Sequence, residues 1–135
     1  MPTAGSQFVL IDTCIWVEFF NKPQSQTNAT VDSMLRTGSA VTIGPILTEV
    51  LQGCRRDAEA NWVASLMLAS CRVIDPKVDH WCEAARLARQ LASRGHTLPL
   101  TDLVIAAISL AQHIPVYTTD PHFKLIPQLA TYSPL

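Results

Sequence analysis

The sequence predicts a three-layer α/β/α sandwich with a mostly parallel central sheet of four to five strands, and three observations carry that prediction. Short apolar runs without polar alternation, at residues 8–11, 41–43 and 116–119, read as strands covered on both faces. Segments with helical periodicity fall between them, which is the order of a βαβ chain with right-handed crossovers. The length of 135 residues, with 48% hydrophobic and 16% charged content, fits one domain spanning residues 1–135 with a sizeable core.

Each element has its own local reason. Residues 8–11 (FVLI) form the first strand, and the helical pattern of residues 13–20 follows directly. A second helix is expected over residues 27–36, then the strand at 41–43. Pro45 suits the first position of a helix over residues 45–54, and another helix covers 58–69. Residues 78–94 are amphipathic: Val78, Trp81, Ala85, Ala88 and Ala92 share one face, with Glu83, Arg86, Arg89, Gln90 and Ser93 largely opposite, and Gly95 marks the stop. Residues 101–113 are apolar almost all round, which predicts a central, covered helix. Pro23, Pro76 and Pro115 fall in connections.

Composition narrows the function. The longest nearly unbroken apolar segment, residues 103–111, is far shorter than a membrane span, and MPTAGSQ lacks the basic start and apolar core of a signal peptide, so a cytoplasmic protein is expected. Cys14, Cys54, Cys71 and Cys82 show no CxxC and no zinc-site spacing with the four histidines, which reads as reduced, mostly buried thiols. Five glycines, none in a phosphate-cradling array, exclude a P-loop, and no GxSxG supports a serine hydrolase.

Four acids stand beside apolar runs, where an unpaired carboxylate is costly: Asp12 ends FVLID, Glu49 lies in PILTEVL, Asp102 opens DLVIAAISLA and Asp120 ends PVYTTD. In open α/β sheets ligands gather beyond the C-terminal ends of the strands, and Asp12 and Asp120 both follow strand ends. Glu49 sits about one turn into the next helix, at the border of its apolar arc, and Asp102 occupies the first turn of the covered helix, where the dipole favours it. Taken singly, Asp12 and Asp102 also read as helix caps, Asp120 before Pro121 as a turn, and Glu49 as a partly exposed helix acid. Gathered at one sheet edge, four carboxylates repel unless a cation is present, and their hard oxygens suit Mg²⁺ or Mn²⁺. Such a site stabilises charge on a phosphodiester, the work of one- and two-metal nucleases. Thr13 and Thr118, beside the acids, can add hydroxyl contacts.

Setting those four acids aside leaves ten basic residues against seven acidic ones, so the net charge of −1 hides a mildly basic remainder. Arg55 and Arg56 are adjacent, and Arg86, Arg89 and Arg94 share one segment, which allows local positive patches.

In order along the chain, VLIDTCIWVEFF, ILTEVLQG, GHTLPLTDLVIAAISLAQH and VYTTDPHF resemble the PIN-domain ribonucleases, and more narrowly the VapC-type toxins of bacterial and archaeal toxin–antitoxin pairs. The resemblance spans nearly the whole chain. It implies that Asp12, Glu49, Asp102 and Asp120 form the metal-binding, catalytic centre, with Thr118 in the place of the hydroxyl of T-x-D. It also implies Mg²⁺-dependent hydrolysis of RNA, inhibition by a cognate antitoxin, and homodimers that combine into larger complexes. One segment departs from the family. Relatives often carry a basic residue and a second acid before the Phe, whereas this chain has Pro121 and His122 before Phe123.

Two rival readings use the same residues. A phosphoaspartyl hydrolase would make the Asp after the first strand a nucleophile, but that chemistry wants another acid two residues on, where this chain has Cys14. A non-catalytic interaction domain would use the acids to hold a basic partner segment, such as an antitoxin arginine.

Overall fold

The computed structural model describes residues 7–134. The leader reading of MPTAGSQ therefore falls almost entirely outside the described residues. Four strands, β1 (Val9–Ile11), β2 (Ala40–Ile43), β3 (Arg72–Ile74) and β4 (Val116–Tyr117), form one sheet in the order β3-β2-β1-β4, with every pairing parallel. Six helices connect them: α1 (Thr13–Asn21), α2 (Gln26–Thr37), α3 (Gly44–Gln52), α4 (Asp57–Ser70), α5 (Val78–Ala92) and α6 (Leu100–Gln112). A short 3-10 turn, Pro121–Leu125, follows β4.

The strand order decides the layering. From β1 the chain steps to β2 and β3 in one direction, then returns past β1 to place β4 on the other side. Right-handed crossovers in opposite directions put their helices on opposite faces. Accordingly α1 packs on α2 and α3, and α3 on α4, while α5 and α6 pack on each other. The sheet is thus covered on both faces, as the unalternated apolar strands require: β1 and β2 are buried at every position.

Helix α6 is the central covered helix that its composition predicts, buried without interruption from Asp102 to Ser109. Trp16 of α1 is wholly enclosed and meets Phe19 edge-on and Phe20 in a stack. Gly95 adopts φ +82, a conformation that glycine enters without steric cost, and the chain turns back there with the His96 N–H donating to the Leu91 carbonyl.

Three local expectations are corrected. Strand β3 has no counterpart in the sequence reading, because Arg72 and Val73 are exposed at the sheet edge and the run is short and mixed; the Arg72 guanidinium lies over the Phe8 ring, 4.9 Å from its centroid. Helix α5 buries Ala84, Leu87 and Leu91 instead of the face of Val78, Trp81 and Ala85. Leucine offers more apolar surface to the neighbouring α6 than alanine does, and Val78 and Trp81 are left 75% and 43% exposed. The cysteines are free but less buried than expected: Cys14, Cys54 and Cys71 are half-buried and Cys82 is exposed. No helix among the described residues is long and apolar enough to cross a membrane.

Candidate metal centre

The chain runs from β1 outward to β2 and β3 and then crosses back to β4 on the other side of β1, so the C-terminal ends of β1 and β4 flank a topological switch point, where an α/β sheet opens a crevice. Asp12 directly follows β1. Its backbone N–H continues the ladder to the Tyr117 carbonyl of β4 at 3.0 Å, which fixes both strand ends side by side. Asp12 is 5% exposed, and both oxygens of its carboxylate accept hydrogen bonds. Oδ1 accepts the Thr13 N–H at 2.8 Å, as the cap of α1, and Oδ2 accepts the Thr118 hydroxyl at 2.7 Å and the Cys14 thiol at 3.5 Å.

Two threonines extend this arrangement to the neighbouring acids. The Thr13 hydroxyl donates to Glu49 Oε1 at 2.6 Å, so the first residue of α1 holds a carboxylate delivered by α3. Thr118 Oγ1 accepts the Asp120 N–H at 2.9 Å, which places Asp120 next to Asp12 through a shared hydroxyl. Asp120 then caps the 3-10 turn, its Oδ1 accepting the His122 N–H at 2.9 Å. The turn reading of the Asp-Pro pair therefore holds alongside the site reading.

Asp102 behaves differently from the others. It sits in the first turn of α6 but caps nothing: the cap position is Pro99, and no side chain bonds the helix start. At 8% exposure it is buried, and its Oδ2 is an enclosed acceptor with no hydrogen-bond partner. The helix dipole and the nearby His122 favour negative charge there, while burial and the neighbouring acids oppose it. Asp102, Asp120 and His122 each turn a ligand atom to within 4.8 Å of one another. Asp12 and Glu49 stand outside that tight group and reach it through Thr118 and Thr13.

The electrostatics follow from that crowding. Burial, with the nearby Asp12 and Asp120 carboxylates adding to it and His122 opposing more weakly, pushes the Asp102 carboxyl up to about 6. Asp12 is also raised, chiefly by burial and slightly by Asp120, although its hydrogen bonds from Thr118, Thr13 and Cys14 hold it down. Three carboxylates thus sense one another, and a divalent cation is the species that relieves all of them at once. The residues fit it: hard oxygen donors converge, and one of them, Asp102 Oδ2, is buried with no other partner.

The PIN domain family model matches residues 9–129. The chain belongs to the PIN domain family. No curated protein matches it in sequence. Its PIN fold is shared with solved structures at low identity. A VapBC2 complex from Rickettsia felis, bound to a DNA fragment from its promoter, superposes with a TM-score of 0.80 at 19% identity over 93% of this chain and 98% of that one. A DNA-bound VapBC from Salmonella typhimurium gives 0.78 at 18% identity over 96% and 99%. VapC20 of Mycobacterium tuberculosis, a sarcin-ricin loop cleaving toxin, gives 0.63 at 16% identity over 86% and 92%.

Within this PIN domain the four acids picked out in the sequence lie along one connected edge of the sheet. His122, which the sequence marked only as a departure from the family pattern, joins Asp102 and Asp120 in the tight group. Its signal was local: an Asp followed by Pro turns the chain, and the residue two positions on is folded back against that Asp. Cys14 was read as a structural thiol, yet it bonds Asp12 and receives the Thr119 hydroxyl at 3.4 Å.

Proposed function

We propose that this PIN domain is a Mg²⁺-dependent endoribonuclease, with Mn²⁺ as a competent substitute, and that it acts as the toxin of a type II toxin–antitoxin pair. The observation that carries the reading is Asp102: a buried carboxylate with an unpartnered oxygen, facing other acids at the switch point of the sheet. Asp12, Glu49, Asp102 and Asp120 would hold the cation, and Thr13 and Thr118 would keep Glu49 and Asp12 oriented toward it. When bound, the cation supplies charge stabilisation for the phosphodiester and eases ionisation of the attacking water. The chain's own contribution is preorganisation. The Thr118 hydroxyl and the Thr13 N–H fix both oxygens of Asp12, so no reorganisation is needed when substrate arrives. No histidine is required as a general base.

Substrate and partner rest on the same family reading. One structural relative cleaves the sarcin-ricin loop, an RNA, and others were solved as VapBC complexes, which supports RNA as substrate and a cognate antitoxin as partner. A homodimer is supported by the outward face of α5, where Val78 and Trp81 stand exposed. The test is incubation of the purified protein with total RNA in Mg²⁺. Defined cleavage products that disappear in EDTA are expected. Intact RNA alongside tight binding of a basic peptide would instead favour the non-catalytic interaction domain.

A further inference from the structure

His122 stands among the acids at this edge, and the carboxylate reading does not employ it. Its side chain is 45% exposed as a whole, yet Nδ1 is enclosed, so the ring turns one nitrogen inward and the remainder to solvent. Nδ1 lies 3.4 Å from Asp102 Oδ2 and 3.3 Å from Asp120 Oδ1 and completes a hydrogen bond with neither. Two enclosed polar atoms, His122 Nδ1 and Asp102 Oδ2, thus face each other unpartnered. A buried polar group in a native protein is normally satisfied, and two enclosed ligand atoms at this separation that do not bond each other point to a third species that both would bind.

Resting on the metal-centre reading above, we infer that His122 is a nitrogen ligand of that centre, joining Asp102 and Asp120 and giving the site a preference for Mn²⁺ over Mg²⁺. The separations agree with this. Donors about 2.1 Å from a shared ion lie roughly 3.0 to 3.4 Å apart, depending on its geometry, and both His122 distances fall within that span. The chemistry supplies the selectivity. Mg²⁺ keeps to oxygen ligands and near-ideal octahedral geometry, whereas the transition ions accept imidazole alongside carboxylate. The backbone supplies the positioning: Pro121 opens the turn, and the His122 N–H on Asp120 Oδ1 folds the ring back over the acids.

A different role for His122, a cation that neutralises the acids, has the opposite consequence, because removing it would then free the carboxylates and tighten divalent binding. Titration of the wild-type protein with Mn²⁺, followed by electron paramagnetic resonance, separates the two, with pulsed detection of nitrogen coupling to the bound ion. The expected result is a directly bound imidazole nitrogen in the wild type, lost in His122→Ala together with at least a 10-fold weaker Mn²⁺ affinity. Mg²⁺ affinity, read by competition, should move less than 3-fold. His122→Gln should behave as His122→Ala does, and the nitrogen coupling is read on the wild type without any variant. Bound Mn²⁺ without nitrogen coupling, or Mn²⁺ affinity unchanged or raised in the variants, overturns the role of His122 and leaves the carboxylate centre standing. Wild-type protein that binds no Mn²⁺ overturns both.

Discussion

Thr118 Oγ1 donates to Asp12 Oδ2 at 2.7 Å across 106 positions of sequence and at the same time accepts the Asp120 N–H at 2.9 Å. One hydroxyl thus ties the end of β1 to the segment leaving β4. Thr118→Val keeps the shape but leaves Asp12 Oδ2 with only the long Cys14 contact and strands the Asp120 N–H, so a stability loss of about 1 to 3 kcal/mol is expected. RNA cleavage should fall at least 10-fold through misplacement of Asp12, and Thr118→Ser should restore most of both. Urea unfolding and single-turnover cleavage measure the two effects separately.

The raised carboxyls give a pH dependence whose sign is fixed. Asp102 binds its proton more tightly when folded, at about 6 against an unfolded value of 3.8. Between those values the folded protein holds more protons than the unfolded chain, so stability falls as pH rises through this window and then levels off. Asp12, also raised, acts in the same direction. Metal-free protein should therefore melt on the order of 5 °C higher at pH 5 than at pH 7.5. Saturating Mg²⁺ should remove most of that difference, and Mg²⁺ affinity should weaken as pH falls below about 6, where the proton competes for Asp102. Calorimetric melts with and without Mg²⁺ at the two pH values decide it.

Helix α6 carries both the core and the site. Ile105 is completely buried in it, and Ile105→Ala should cost about 3 kcal/mol by opening a cavity in the core. Because Ile105 brings no polar or charged group to the site, cleavage per folded molecule should change less than 3-fold at low temperature. Equilibrium urea unfolding beside a rate measured at 15 °C checks this.

The outward face of α5 should form a contact between two copies. Trp81→Glu removes a 43%-exposed apolar ring at little internal cost and should convert a dimer to a monomer without lowering the melting temperature of the monomeric fold. Sedimentation velocity at matched concentrations shows the change directly.

What the sequence made legible depended on contrast. Asp12 and Asp102 stood out because each abuts a run of buried residues, and the same apolar runs fixed β1, β2 and α6. Strand β3 was illegible because an edge strand needs little apolar character, and its Arg72 packs through a cation–π contact. The face of α5 was misread because two apolar stripes compete on that helix, and the choice between them is made by α6, a partner remote in sequence. The coupling of Thr13 to Glu49 across 36 positions, and the inward turn of His122 Nδ1, are tertiary facts with only faint local traces.

The central claim is that the carboxylates act as one metal-dependent nuclease site. Single-turnover RNA cleavage in Mg²⁺ by Asp12→Asn, Asp102→Asn and the double variant tests it most directly, with circular dichroism confirming the fold of each. Groups that hold a single cation fail together, so each single variant should lose at least 100-fold in rate and the double variant little more. Cleavage that survives in either single variant, or persists in EDTA, would contradict the account.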